Sequence, residues 1–146
     1  MTKLNLKISF SGPLLKTGGK DIQRVAEQTV RDVMSFGEVY LNQRLRPRPS
    51  GVFKTLAEAG PKYVSIGNYR RNVLASVDFI RKPLGAVATI DDGNVLYGPW
   101  LEGISDRNKT TKFKGYNSFR KAAQEMQKNA GKLLQANVKR FTRKNR

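Results

Sequence analysis

Few residues of this sequence could carry out bond-making chemistry. The 146 residues contain no His and no Cys, which excludes a Ser-His-Asp triad, thiolate catalysis, disulfides and Cys/His zinc sites. A general base would have to be a Lys, a Tyr or one of 11 carboxylates. The adjacent acids Asp91 and Asp92 precede Gly93-Asn94, and a tight turn explains them better than a metal site. We therefore expect no enzyme activity and no cofactor, although a nuclease that uses scattered carboxylates stays open.

Positive charge is the main chemical property of the chain. There are 28 Lys and Arg against 11 Asp and Glu, a net charge of +17. Residues 107–146 hold 13 of the basic residues and Glu125 as their single acid. Such a surface indicates a polyanionic neighbour: nucleic acid, an acidic protein surface or an anionic membrane. The residues predicted to contact DNA or an acidic partner are Arg44, Arg46, Arg48, Arg107, Lys109, Lys112, Lys139, Arg140, Arg143 and Lys144.

A short aromatic corner at residues 97–103 contains Trp100, the only Trp of the chain. Pro99 suits the first turn of a short helix, and the flanking Gly98 and Gly103 permit backbone conformations closed to other residues. Such a corner either plugs a core or presents a rigid apolar anchor to a partner. The residues assigned to a subunit interface on the second interpretation are Tyr97, Pro99, Trp100, Leu101 and Glu102.

Hydrophobic periodicity predicts the elements that position these residues. Alternation over residues 4–10 predicts a strand, and apolar spacing of three and four over 20–45 predicts a long helix. Residues 45–62 form a long irregular connection, at the start of which Arg44, Arg46 and Arg48 alternate with Leu and Pro. Strands are predicted at 73–80, 86–90 and 95–97, with a hairpin turn at 91–94. Apolar spacing along one helical face over residues 116–141 predicts a long amphipathic helix. A basic tail at 139–146 is expected to be frayed.

These elements predict one α+β domain over residues 1–146. A small antiparallel sheet of about four strands packs with a long helix in the N-terminal half and a long C-terminal helix. No apolar run reaches the roughly 18 residues of a membrane span, and residues 4–10 lack the continuous apolar block of a signal peptide. We therefore expect neither export nor a membrane partner.

Three local features in this order resemble the neck and tail-completion proteins of long-tailed bacteriophages, small head-tail joining proteins of the virion. The first is residues 67–72 leading into a strand. The second is the meander that ends in the aromatic corner. The third is the basic loop from Arg107 to Phe113, followed by Gly115-Tyr116 and by residues 119–122, which open the last helix.

The resemblance implies a non-enzymatic structural subunit that forms a closed homo-oligomeric ring, commonly sixfold. Double-stranded DNA passes through the lumen without sequence recognition, and phage neck and tail proteins are the neighbours. The location implied is the neck or the top of the tail, after assembly in the host cytoplasm. Head-proximal connector, tail terminator and minor neck component all stay open, with a terminator or neck ring favoured.

A basic nucleic-acid-binding protein of ribosomal-protein type is the main alternative. It explains the net charge of +17 equally well. It explains the predicted sheet less well, because that sheet offers Phe79 and Tyr97 rather than the clustered aromatic residues of an RNA-reading surface.

Overall fold

In the computed structural model, which describes residues 5–9, 19–45, 68–83 and 85–144, two long helices pack against a small antiparallel sheet. The predicted α+β class is confirmed, with three strands in the described sheet rather than about four. The elements in chain order are β1 (Asn5–Ser9), α1 (Gly19–Arg44), α2 (Asn68–Ala75), β2 (Asp78–Lys82), β3 (Gly85–Asp91), α3 (Gly98–Glu102), α4 (Arg107–Thr110) and α5 (Ser118–Lys144).

β3 is the central strand of the described sheet, whose order is β1-β3-β2. It pairs antiparallel with both neighbours, so that Ile8 of β1 and Phe79 of β2 both lie opposite Ala88. Successive side chains of a strand point to opposite faces, and the alternate residues Ala86, Ala88 and Ile90 are buried in the core. β1 and β2 are the two edges of this sheet.

The two long helices pack along one another and bury their apolar stripes. Gly37 allows the close approach, because a Cβ atom at this position would lie 2.5 Å from the Met126 sulfur. A glycine inside a helix costs about 1 kcal/mol relative to Ala, and here it makes room for Met126. The buried apolar residues of α1 and α5 are Ala26, Val30, Val33, Met34, Leu41, Phe119, Ala122 and Met126.

The strand predicted at 73–80 is wrong in its first half. Residues Asn68–Ala75 form the helix α2, and β2 begins only at Asp78. Tyr69 and Val73, four residues apart, are both buried against the core. Burial of this one helical face overrides the strand preference of a β-branched residue.

The strand predicted at 95–97 is also wrong, because these residues form turns that lead into α3. The amide of Gly98 donates to the Val95 carbonyl at 2.9 Å, and the amide of Leu101 donates to the Tyr97 carbonyl at 3.1 Å. The turn at 91–94 does form, with positive φ at Gly93 and Asn94. It connects β3 to α3 instead of joining two strands.

The C-terminal ends of the two long helices are well defined. α5 continues to Lys144, so residues 139–144 of the tail predicted to be frayed are helical. α1 ends at Arg44 and is followed by the buried Leu45. Positions 46–62 of the predicted long connection lie outside the described residues.

Candidate assembly surfaces

The aromatic corner is a short helix, α3, as the sequence predicted. Pro99 lies in its first turn, and Gly103 ends it in the left-handed conformation with φ of 84°. The backbone of Gly103 lies directly against that of Gly115, and the amide of Tyr116 donates to the Leu101 carbonyl at 2.7 Å. The corner is therefore fixed to the segment that leads into α5.

Glu102 attaches the corner to the start of α5. Its side chain is only 2% exposed, and Oε2 accepts a hydrogen bond from the Phe119 amide at 3.1 Å. The first amides of a helix lack partners within the helix, and a carboxylate is favoured there by the helix dipole. Glu102, which was assigned to a subunit interface from the sequence, is buried within the subunit and caps α5 from a distant position.

Buried polar groups surround this carboxylate. Burial raises the pKa of Glu102, although hydrogen bonds from Phe119 and Ser118 and the charge of Arg44 act in the opposite direction. Burial also raises the pKa of Tyr69, and the negative charges of Glu102 and Asp92 add to this shift. The Tyr69 and Ser118 hydroxyls and Glu102 Oε1 are all buried, and both hydroxyls lie close to this carboxylate.

Trp100 packs in a group of three aromatic rings. Its ring lies 4.8 Å from that of Phe113, which lies 5.0 Å from the ring of Tyr116 in an edge-to-face arrangement. The Arg107 guanidinium lies over Trp100 at 5.5 Å. Trp100 and Leu101 are therefore partly buried within the subunit. They are neither fully buried core residues nor fully exposed apolar anchors.

Asn108 joins the basic loop to the corner, and sequence reasoning missed it. It is 4% exposed, and its amide nitrogen donates to the carbonyls of Trp100 at 3.0 Å and Phe113 at 3.1 Å. Its Oδ1 accepts from the Ser105 amide at 3.1 Å. Nothing in the spacing of an Asn between basic residues signals this role.

Exposed apolar side chains lie just before and just after the helix α3 in sequence. Leu96 is 77% exposed, and Tyr97 and Ile104 are each 46% exposed. Pro99 is partly buried. We call Leu96, Tyr97 and Ile104 the apolar rim; Tyr97 was predicted as an interface residue, and the other two were not.

The predicted cationic residues fall into separate groups. Arg107, Lys109 and Lys112 are exposed on the loop beside Trp100, where Lys109 pairs with Asp106 at 2.7 Å. Arg44 is partly buried at the end of α1, and Arg46 and Arg48 lie outside the described residues. Lys139, Arg140, Arg143 and Lys144 are exposed on the last turns of α5.

The fold adds three arginines to this last group. Arg24 and Arg31 of α1 and Arg81 of β2 line a groove together with Arg140 and Lys144 of α5. Two of these five residues were predicted to contact a polyanion. The other three come from elements far apart in the sequence, so their proximity could not be predicted from spacing.

No protein-family model, curated protein or solved structure matches this chain. Among the described residues, no group of three or more acidic side chains could hold a metal ion. The helices in that part of the chain are all too short or too polar to cross a membrane. What the described surface does offer is an apolar rim on a rigid corner and clusters of cations.

Proposed function

We propose that this protein is a structural virion subunit of a tailed bacteriophage, which forms a ring at the neck or as the tail terminator and joins head and tail around the DNA passage. The single observation that carries the proposal is the construction of the corner. It is bonded to α5 through Glu102 and to the segment before α5 through Tyr116, yet leaves the apolar rim exposed beside it. A rigid apolar anchor of this kind suits a permanent contact with a partner.

A ring also needs two unlike surfaces on each subunit, because head-to-tail contacts are heterologous. The corner lies at the first turn of α5, and the groove lined by five basic residues lies at its last turns. α5 has 27 residues, and at about 1.5 Å per residue the two surfaces are roughly 35 Å apart. The apolar side chains at the corner supply one of these contact surfaces, whereas the groove at the other end of the helix is left for a different partner.

The exposed cations suit a DNA passage that carries any sequence. Lys and Arg contacts to phosphate attract DNA but supply little sequence information. The sheet is a poor surface for reading RNA, because the Arg31 guanidinium covers the Phe79 ring at 3.6 Å and Tyr97 lies at the corner instead of on a strand. The alternative of a ribosomal-protein-type binder gains no support from these contacts.

The oligomeric state tests the proposal. After nuclease treatment and purification in high salt, native mass spectrometry and negative-stain electron microscopy should show a discrete ring. The variant Leu96→Asp should shift the protein to monomers, because it places a charge in the apolar rim. Val39 of α1 is 56% exposed, and Val39→Asp is the matched control that should leave the ring intact. A wild-type protein that stays monomeric at all concentrations and is absent from purified phage particles would contradict the proposal.

A further inference from the structure

We infer that the groove between the N-terminal half of α1, β2 and the end of α5 is a docking site for an acidic peptide segment of a partner protein. We call it the basic groove. That the partner is a neighbouring virion protein rests on the proposed function, whereas the chemistry of the groove does not. Its volume is about 500 Å³, within the usual range for a specific binding site.

The groove concentrates positive charge that the chain itself does not neutralise. Five basic residues and one acid, Glu27, line it. Glu27 pairs with Arg81 at 2.9 Å. Within the described part of the chain, Arg24, Arg140 and Lys144 form no ion pair. These cations repel one another until an anion binds among them.

The carboxylate of Asp32, which follows Arg31 in α1, is already occupied by amide groups. Asp32 accepts hydrogen bonds from Gln28 at 2.7 Å and from Asn137 at 2.8 Å. The buried Asn137 also donates to the Thr29 hydroxyl at 3.3 Å, which ties the end of α5 to α1. The groove walls are therefore held in place by neutral amides. Arg81 pairs with Glu27 and Arg31 stacks on Phe79, so Arg24, Arg140 and Lys144 are the cations left for a ligand.

The shape and lining favour a peptide over nucleic acid. A DNA duplex is usually entered by a protruding helix or ribbon of the protein, whereas this surface is recessed. Single strands bind on series of aromatic rings, and Phe141 is the one aromatic residue among those that line the groove. Val25 and Phe141 provide apolar contact beside the arginines, whose planar guanidinium groups pair with carboxylates in a bidentate manner.

The chain cannot readily supply this acidic segment itself. Of its 11 acids, only Glu58 lies outside the described residues. One carboxylate does not match the charge of the groove. The occupant we infer is therefore a segment of another protein that combines several Asp or Glu residues with an apolar side chain.

Binding of a short fluorescent peptide, made of glutamates around one central leucine, tests the inference. Fluorescence anisotropy is measured with the full-length protein at about 150 mM salt, where the screening length is about 8 Å. The triple variant Arg24→Gln, Arg140→Gln and Lys144→Gln should weaken binding about tenfold, because it removes three cations that would pair with peptide carboxylates. The matched control is Arg120→Gln, Lys121→Gln and Lys132→Gln, which removes the same charge from exposed positions of α5 outside the groove.

Each outcome decides the inference. A loss of peptide affinity confined to the groove triple variant supports it, as does failure of the matching glutamine peptide to bind. Equal loss in both triple variants, or no binding of the glutamate peptide to wild type, overturns it. Binding of a short DNA duplex that is lost only in the groove variant, without peptide binding, overturns it in favour of nucleic acid. If the protein is monomeric but still binds the peptide, the proposed ring is contradicted and the inferred peptide site is not.

Discussion

Glu102 shows how one buried residue can connect a surface feature to the core. Its carboxylate accepts the Phe119 amide at 3.1 Å and so joins α3 to the first turn of α5. The same burial that makes this bond strong penalises the charged form of the side chain. Glu102 therefore contributes to stability in a way that changes with pH.

The variant Glu102→Gln tests this contribution. Burial raises the pKa of Glu102 above its ordinary value of 4.5, so the folded state keeps a proton that the unfolded state has lost. The stabilisation that this proton gives the folded state is complete below the pKa of Glu102 in the unfolded state. It is lost as pH rises through the pKa of Glu102 in the folded state. Glutamine is neutral throughout and can still accept the Phe119 amide. The variant should thus gain stability relative to wild type as pH rises from acid to neutral, measured by urea unfolding at several pH values. The opposite trend would show that the carboxylate is stabilised in its charged form.

At the scale of elements, the contact between the end of α3 and the segment before α5 depends on two glycines. Gly103 and Gly115 both have positive φ, and a Cβ atom on either would collide with the backbone of the other segment. Side chains are disfavoured at both positions by conformation and by space. The close approach keeps the Tyr116 amide within 2.7 Å of the Leu101 carbonyl.

Substituting Gly103→Ala should therefore lower the free energy of unfolding by at least about 2 kcal/mol, because strain at positive φ adds to the collision. Gly131→Ala is the matched control. Gly131 lies within α5 with no neighbouring atom within 4 Å of a new Cβ, so alanine should stabilise by about 1 kcal/mol. Chemical denaturation of both variants measures the difference. Similar small effects at the two positions would mean that the corner is not held by this contact.

The elements that could be predicted from the sequence are those with a long or clear period. Both long helices, β1 and β3 follow apolar spacings that span most of their length. The last three residues of α2 were mistaken for the start of a strand. Among the α2 side chains whose burial is described, only Tyr69 and Val73 are buried, which is too few positions to show a helical period. A strand at 95–97 was expected from its residue types alone. β3 already pairs with β1 and β2 on its two sides, so no fourth strand could pair with it.

At the scale of the whole molecule, the candidate site was predicted only in part because its halves depend on different information. The corner is local, and its Pro and Gly residues indicate a short helix directly from the sequence. The basic groove is not local, since Arg24, Arg81 and Arg140 come from three elements. Packing of α5 along α1 brings them together, and no sequence pattern records which ends of two helices meet.

The separation of the two surfaces leads to a prediction about their independence. The apolar rim and the basic groove lie at opposite ends of α5, roughly 35 Å apart by helix rise, and they share no residues. Changes at sites so far apart usually add without coupling. Leu96→Asp should therefore abolish the ring but leave the affinity of each chain for the glutamate peptide within about twofold. The groove triple variant should lose peptide binding and keep the ring. Measuring the oligomeric state and the peptide affinity in the separate and combined variants completes a double-mutant cycle. Loss of peptide binding by Leu96→Asp alone would show that the groove is completed by a second copy of the chain, and additivity would then fail.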